Sequence, residues 1–160
     1  MSTQSVARPT SRALRGLRLQ LYIVVVLLAL EIVLGVAVNL FAKLPASDKG
    51  SSLFSAFGAA IGSGPISLAL HAIVGTLLVL AGISVIIRAV GSRTVLQIVL
   101  ASLGMLALLG AWTAGSGFVG HQVDGASFGM ALDSGVAVLA YSTALFAIPL
   151  SLPSESASTK

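Results

Sequence analysis

Four stretches of the chain, Leu19 to Phe41, Ile66 to Val90, Thr94 to Phe118 and Phe128 to Leu150, stay apolar for the length of a bilayer crossing. A hydrocarbon core about 30 Å thick is crossed by roughly 20 residues of helix rising about 1.5 Å each, and every one of these runs is long enough. They are rich in Leu and Ala and lack the period-2 alternation of a strand, and an open sheet edge would leave backbone groups unpaired in lipid. The expected fold class is therefore all-α, an integral membrane four-helix bundle over 19–150. It is preceded by a basic, disordered segment at 1–18 and followed by a disordered tail at 151–160. Composition agrees: 56% of residues are hydrophobic and 9% charged, against about a quarter charged in soluble domains.

The few charges set a direction. Placing both termini and the turn after the second span on one side gathers Arg8, Arg12, Arg15, Arg18, Arg88, Arg93 and Lys160 there, and leaves Lys43 and Lys49 opposite. Positive residues in short loops stay cytoplasmic, so both termini are expected inside, with the protein multi-pass in a plasma membrane. The first run is too long for the apolar core of a secretory signal, so it is read as a retained span. The basic residues flank spans rather than forming a folded face, which argues against nucleic-acid binding. With no cysteine, disulfides, thiolate metal sites and cysteine nucleophiles are excluded. No Walker, dinucleotide, HExxH or serine-hydrolase pattern is present, so nothing local marks an enzyme.

Small residues mark contact faces between helices in lipid. The third span offers Gly104, Ala107, Ala111 and Ala114 or Gly115, the second Gly75 and Gly82, and the fourth Ala137, Ala140 and Ala144. Gln97 and Ser102 are expected to act as interhelical glue, and Arg88 and Arg93 to reach the inner headgroups. Trp112, Tyr22 and Tyr141 lie within a few turns of span ends and read as an aromatic belt or as core. The connection Ala42 to Pro65 is polar at first, then places Leu53, Phe54, Phe57 and Ile61 at helical spacing, as expected of an interfacial lid.

Ionisable groups inside the membrane are expensive and point to function. Glu31 lies roughly 18 Å from the inner end of its helix, close to the midplane, and shares a face with Gly35 and Asn39 at i, i+4 and i+8. His71 and Asp133 sit less than about 10 Å below the outer ends of the second and fourth helices, and Thr113 reaches a similar depth. Glu31, Asn39, Thr113, His71 and Asp133 are therefore expected to form one polar layer in the bundle interior. His121 and Asp124, in the loop GHQVDGAS, would close it from outside.

The segments LEIVLGVAVNLFAKLP and PISLALHAIVGTLLVLAGISVIIRA resemble small, uncharacterised four-helix bacterial membrane proteins. A His followed four residues later by Gly, His71 and Gly75, is similar to one half of haem A synthase and related haem-carrying four-helix units. The resemblance implies a haem b site with His71 as an iron ligand and Gly75 against the porphyrin edge. It also implies a second axial His on another helix. The fourth span contains none, which leaves His121 as the other candidate ligand.

Three functions follow as expectations. The leading one is a structural, assembly or accessory membrane protein, partnered by the lipid bilayer and by copies of itself or a larger complex. The alternatives are a haem-binding or redox-associated protein using His71, and a proton-coupled small transporter using Glu31.

Overall fold

A computed structural model describes residues 11–43, 49–121 and 124–148. Those residues are helical, with no strand among them: α1 Ser11–Phe41, α2 Leu53–Gly62, α3 Ile66–Ser92, α4 Val95–His121 and α5 Asp124–Phe146. The four long helices are each apolar and long enough to cross a membrane, so the chain is a helical, multi-pass membrane protein. The long helices form a ring in which α1 packs on α3, α3 on α4, α4 on α5 and α5 back on α1, while α2 lies across α3 and α4.

Each buried face follows the helical period. On α1 the residues sealed inside are Leu17, Leu21, Val24 and Leu28, then Glu31 and Val38, at steps of three, four and seven. Glu31 thus occupies a position that a leucine would fill elsewhere on the same stripe. Leu19, Ile23, Val26, Leu30 and Val33 point outwards, where lipid satisfies them.

Helix α1 starts earlier than the sequence reading placed it. The segment Arg12 to Arg18, expected to be disordered, is helical because Leu14 and Leu17 join the core and because Ala, Leu and Arg are strong helix formers. Residues 1–10 and 151–160, the remainder of the expected disordered ends, lie outside the described residues. The expected loop at GHQVDGAS is also shorter: His121 ends α4 and Asp124 opens α5.

Polar side chains tie the ring together at the end that carries the arginines. Gln97 Nε2 donates to the Ala144 carbonyl at 2.9 Å, joining α4 to α5, as expected of interhelical glue. Gln20 Nε2 donates to the Ala81 carbonyl at 3.4 Å, joining α1 to α3. The turn between α3 and α4 closes with Arg93 in the left-handed region, φ 56° and ψ 20°, its N–H donating to the Val90 carbonyl at 3.1 Å. Arg88 extends over Gly16 of α1, its Nη1 where a β-carbon at that position would collide.

Tyr141 is not at an interface. Its side chain is fully buried, with the ring laid over Gly104 of α4 and the hydroxyl reaching Gly82 of α3. The two glycines that the sequence marked as contact positions are therefore sockets for one aromatic ring, and three helices meet there. Tyr22, by contrast, is exposed.

Candidate functional site

At the end of the bundle covered by α2, the ring of helices encloses a cavity of about 280 Å³. Its floor is Leu28, Leu78 and Leu108, one from each of α1, α3 and α4, all buried. Above them, Glu31 and His71 are the two titratable residues in its lining among the described residues.

Glu31 and His71 meet because α1 and α3 run antiparallel with matched glycines. A β-carbon at Gly75 would lie 2.8 Å from Glu31 Oε1, and one at Gly35 would lie 3.1 Å from His71 Cε1. Each helix thus leaves a gap four residues beyond its own polar side chain, and the partner's side chain fills it. His71 Nδ1 comes to 3.0 Å from Glu31 Oε1, with both side chains almost fully buried at 13% and 12% exposure. The distance is that of an ion pair, but the approach is out of line for a hydrogen bond. Nδ1 of His71 and Oε2 of Glu31 both remain among the buried polar atoms without a hydrogen-bond partner. Such atoms usually cost about 1–3 kcal/mol each, and in native proteins they call for a particular reason.

The aromatic side of the cavity is supplied by Trp112, whose Nε1 donates to Thr76 Oγ1 at 3.2 Å. Phe57 of α2 covers the indole with ring centroids 5.2 Å apart, and Phe54 lies at 6.4 Å. Helix α2 is thus a lid, as its spacing suggested, but by a different face. Ala56 and Ala60 are buried, while Phe54 and Ile61 are exposed, because the small residues let α2 approach α4 closely. The lid is pinned where Gly50 N–H donates to the Gly120 carbonyl at 2.7 Å.

On the side between α1 and α5 the wall is thin. Ile32, Val36 and Asn39 of α1 and Ala131 and Gly135 of α5 line the cavity and are also exposed on the outside of the bundle. One polar contact crosses the gap, Ser127 Oγ donating to Asn39 Oδ1 at 3.5 Å. The cavity therefore reaches the lipid-facing surface as well as the underside of α2.

The expected single polar layer divides in two. Glu31, His71 and Asn39 belong to the cavity, but Asp133 and Thr113 do not line it. Asp133 packs its carboxylate on Gly110 in the seam between α4 and α5, and Thr113 Oγ1 donates to the Gly110 carbonyl at 2.9 Å. The reason is rotational: Asp133 shares the face of α5 that carries Ala137, Tyr141 and Ala144, whereas the cavity is met by Ser127, Met130 and Ser134. Ser127 and Ser134 were missed in the sequence, although their heptad spacing with Met130 between them marks a face of its own.

The haem expectation can be tested against these positions. A ligating His commonly keeps its other ring nitrogen against a carboxylate, and His71 has Glu31 there. The space over Gly75, however, is filled by the Glu31 carboxylate, and that over Gly35 by the His71 ring. His121, the other histidine of the chain, is exposed at the end of α4 and does not line the cavity. The residues present bring one imidazole to the cavity and leave neither glycine face free for a porphyrin, so they do not fit a two-histidine haem site. No group of three or more metal-ligating side chains occurs among the described residues.

No family pattern, curated protein or solved structure matches the chain.

Proposed function

We propose that this membrane protein is a proton-coupled carrier of a small ligand, with Glu31 and His71 as the site at which proton and ligand exchange. The observation that carries the reading is the Glu31 carboxylate: buried on the core stripe of α1, on the wall of a cavity, with Oε2 lacking a hydrogen-bond partner among the described residues. A group bound for structure alone would be expected to have its second oxygen satisfied by a neighbouring helix. A ligand donor that meets the Glu31 carboxylate takes the place a proton would occupy, so ligand and proton compete for one buried group beside His71. Reciprocity then requires that proton activity alter ligand affinity, and that bound ligand alter proton occupancy.

The leucine floor fits a carrier better than a channel. Leu28, Leu78 and Leu108 separate the pair from the arginine end of the bundle, so passage to that side requires the helices to move. Binding that favours one arrangement over the other supplies the force for such a change.

The test uses proteoliposomes carrying a trapped pH dye and an imposed pH difference. Small membrane-soluble cations, carboxylic acids and neutral molecules are added in turn, to wild type and to Glu31→Gln. The proposal expects at least one ligand class to accelerate collapse of the gradient in wild type and not in the variant. Equal proton movement in both proteins with every class would overturn it.

A further inference from the structure

The structure assigns the cavity a ligand of definite chemistry: a lipid-soluble protonated amine, whose N–H donates to Oε2 of Glu31 and whose apolar body enters from the bilayer between α1 and α5. The inference rests on the carrier reading for its role, but on separate observations for its chemistry.

Glu31 lines the cavity, and its Oε2 is a buried acceptor without a hydrogen-bond donor among the described residues, so a ligand towards which the carboxylate turns must supply one. A protonated amine brings N–H and positive charge together, and hydrogen bonds to charged groups are the stronger kind. A quaternary cation brings charge without N–H, and an alcohol brings O–H without charge. His71, the other titratable residue facing the cavity from α3, contacts Oε1 and leaves Oε2 to the ligand. Among the described residues, the lining contributed by α2, α4 and α5 holds no charged side chain that would compete for the carboxylate or repel a cation.

The remaining wall is apolar and aromatic. Trp112 and Phe57, in contact with centroids 5.2 Å apart, both line the cavity, and the Trp112 N–H is already bonded to Thr76, so the pair offers aromatic surface, with which cations interact favourably, and no competing donor. The volume, about 280 Å³, lies just below the usual range for ligand pockets, about 300–1,000 Å³, and suits an aryl or short alkyl group. The exposed positions at Ile32, Val36, Ala131 and Gly135 place the opening in the lipid-facing wall, where amphiphilic amines partition. The Asn39–Ser127 contact spans that opening at 3.5 Å and is long enough to yield.

Trp112 is the single tryptophan of the chain, so intrinsic fluorescence reads the cavity directly. The protein is titrated in detergent micelles or nanodiscs with 2-phenylethylammonium, with benzyltrimethylammonium and with the neutral 2-phenylethanol. The expected result is a saturable change in Trp112 emission with the primary ammonium, and affinity weaker by about 10-fold or more for the other two. Glu31→Gln is expected to lose about the same factor, whereas Asp133→Asn, outside the cavity, leaves affinity unchanged. Gly75→Ala serves as a second variant, because it keeps both side chains and only displaces the carboxylate; it too is expected to weaken binding.

A dissociation constant unaffected by Glu31→Gln and Gly75→Ala would overturn the assignment. So would equal affinity for the alcohol, or the absence of a saturable change in the folded wild type. Glu31-dependent proton flux driven by an acid or a neutral molecule, without ammonium binding, would remove this inference and leave the carrier reading intact. Glu31-dependent ammonium binding without proton flux would support the ligand assignment and remove the carrier reading.

Discussion

At the scale of the residue, pairs of glycine and a large side chain organise this protein. Gly75 receives Glu31, Gly35 receives His71, Gly110 receives Asp133, and Gly104 with Gly82 receives Tyr141. A methyl group at Gly104 would fall 2.6 Å from the Tyr141 ring. Overpacking of this kind costs about 1–3 kcal/mol, more than the gain of about 1 kcal/mol in helix propensity from Gly to Ala. Gly104→Ala should therefore lower the thermal unfolding midpoint in detergent, while Gly91→Ala, with open space around it, should leave it unchanged or raise it. Tyr141→Phe removes a buried hydroxyl that has no partner, and should be neutral or stabilising. The sequence made Glu31 and His71 visible through their cost in lipid, and their glycines through small-residue spacing. It did not reveal that each glycine serves the opposite helix's polar residue, because that depends on the register of α1 against α3, which no local pattern encodes. For Tyr141 the core alternative holds, but that its ring would sit on Gly104 and its hydroxyl reach Gly82 was hidden for the same reason.

At the scale of the element, α2 covers one end of the cavity, apart from the opening between α1 and α5. Its helical spacing could be read from Leu53, Phe54, Phe57 and Ile61, yet the helix turns Ala56 and Ala60 inwards. Close approach to α4 outweighed burial of the bulkier side chains, which already have a favourable environment at an apolar surface. Phe57 then becomes the cover over Trp112. Phe57→Ala should increase quenching of Trp112 by aqueous acrylamide without a change in helix content by circular dichroism. Unchanged quenching would mean that α2 does not close the cavity. Helix α5 taught the converse lesson: its acid drew attention to one face, while the cavity uses the adjacent face of Ser127, Met130 and Ser134.

At the scale of the whole molecule, the four apolar helices were legible because hydrocarbon thickness fixes their length and allows no other secondary structure without a closed barrel. Orientation comes from the arginine distribution and makes its own prediction. The chain has no cysteine, so Lys49→Cys and Arg93→Cys, on the two opposite ends of the bundle, each introduce one thiol. A membrane-impermeant maleimide applied to intact cells should label the first and spare the second, and the reverse pattern would invert the topology. Site and scaffold are joined at one place, where the buried stripe of α1 carries a carboxylate in place of an apolar residue and α3 answers with an imidazole. The account's central claim is that proton and ligand exchange at these two groups. It is tested most directly in proteoliposomes holding a trapped pH dye, with wild type, Glu31→Gln and His71→Ala compared as cations, acids and neutral molecules are added in turn across an imposed pH difference. The account predicts that at least one ligand class speeds collapse of the gradient in wild type and that either substitution abolishes the effect. Equal rates in all three proteins with every class would contradict it.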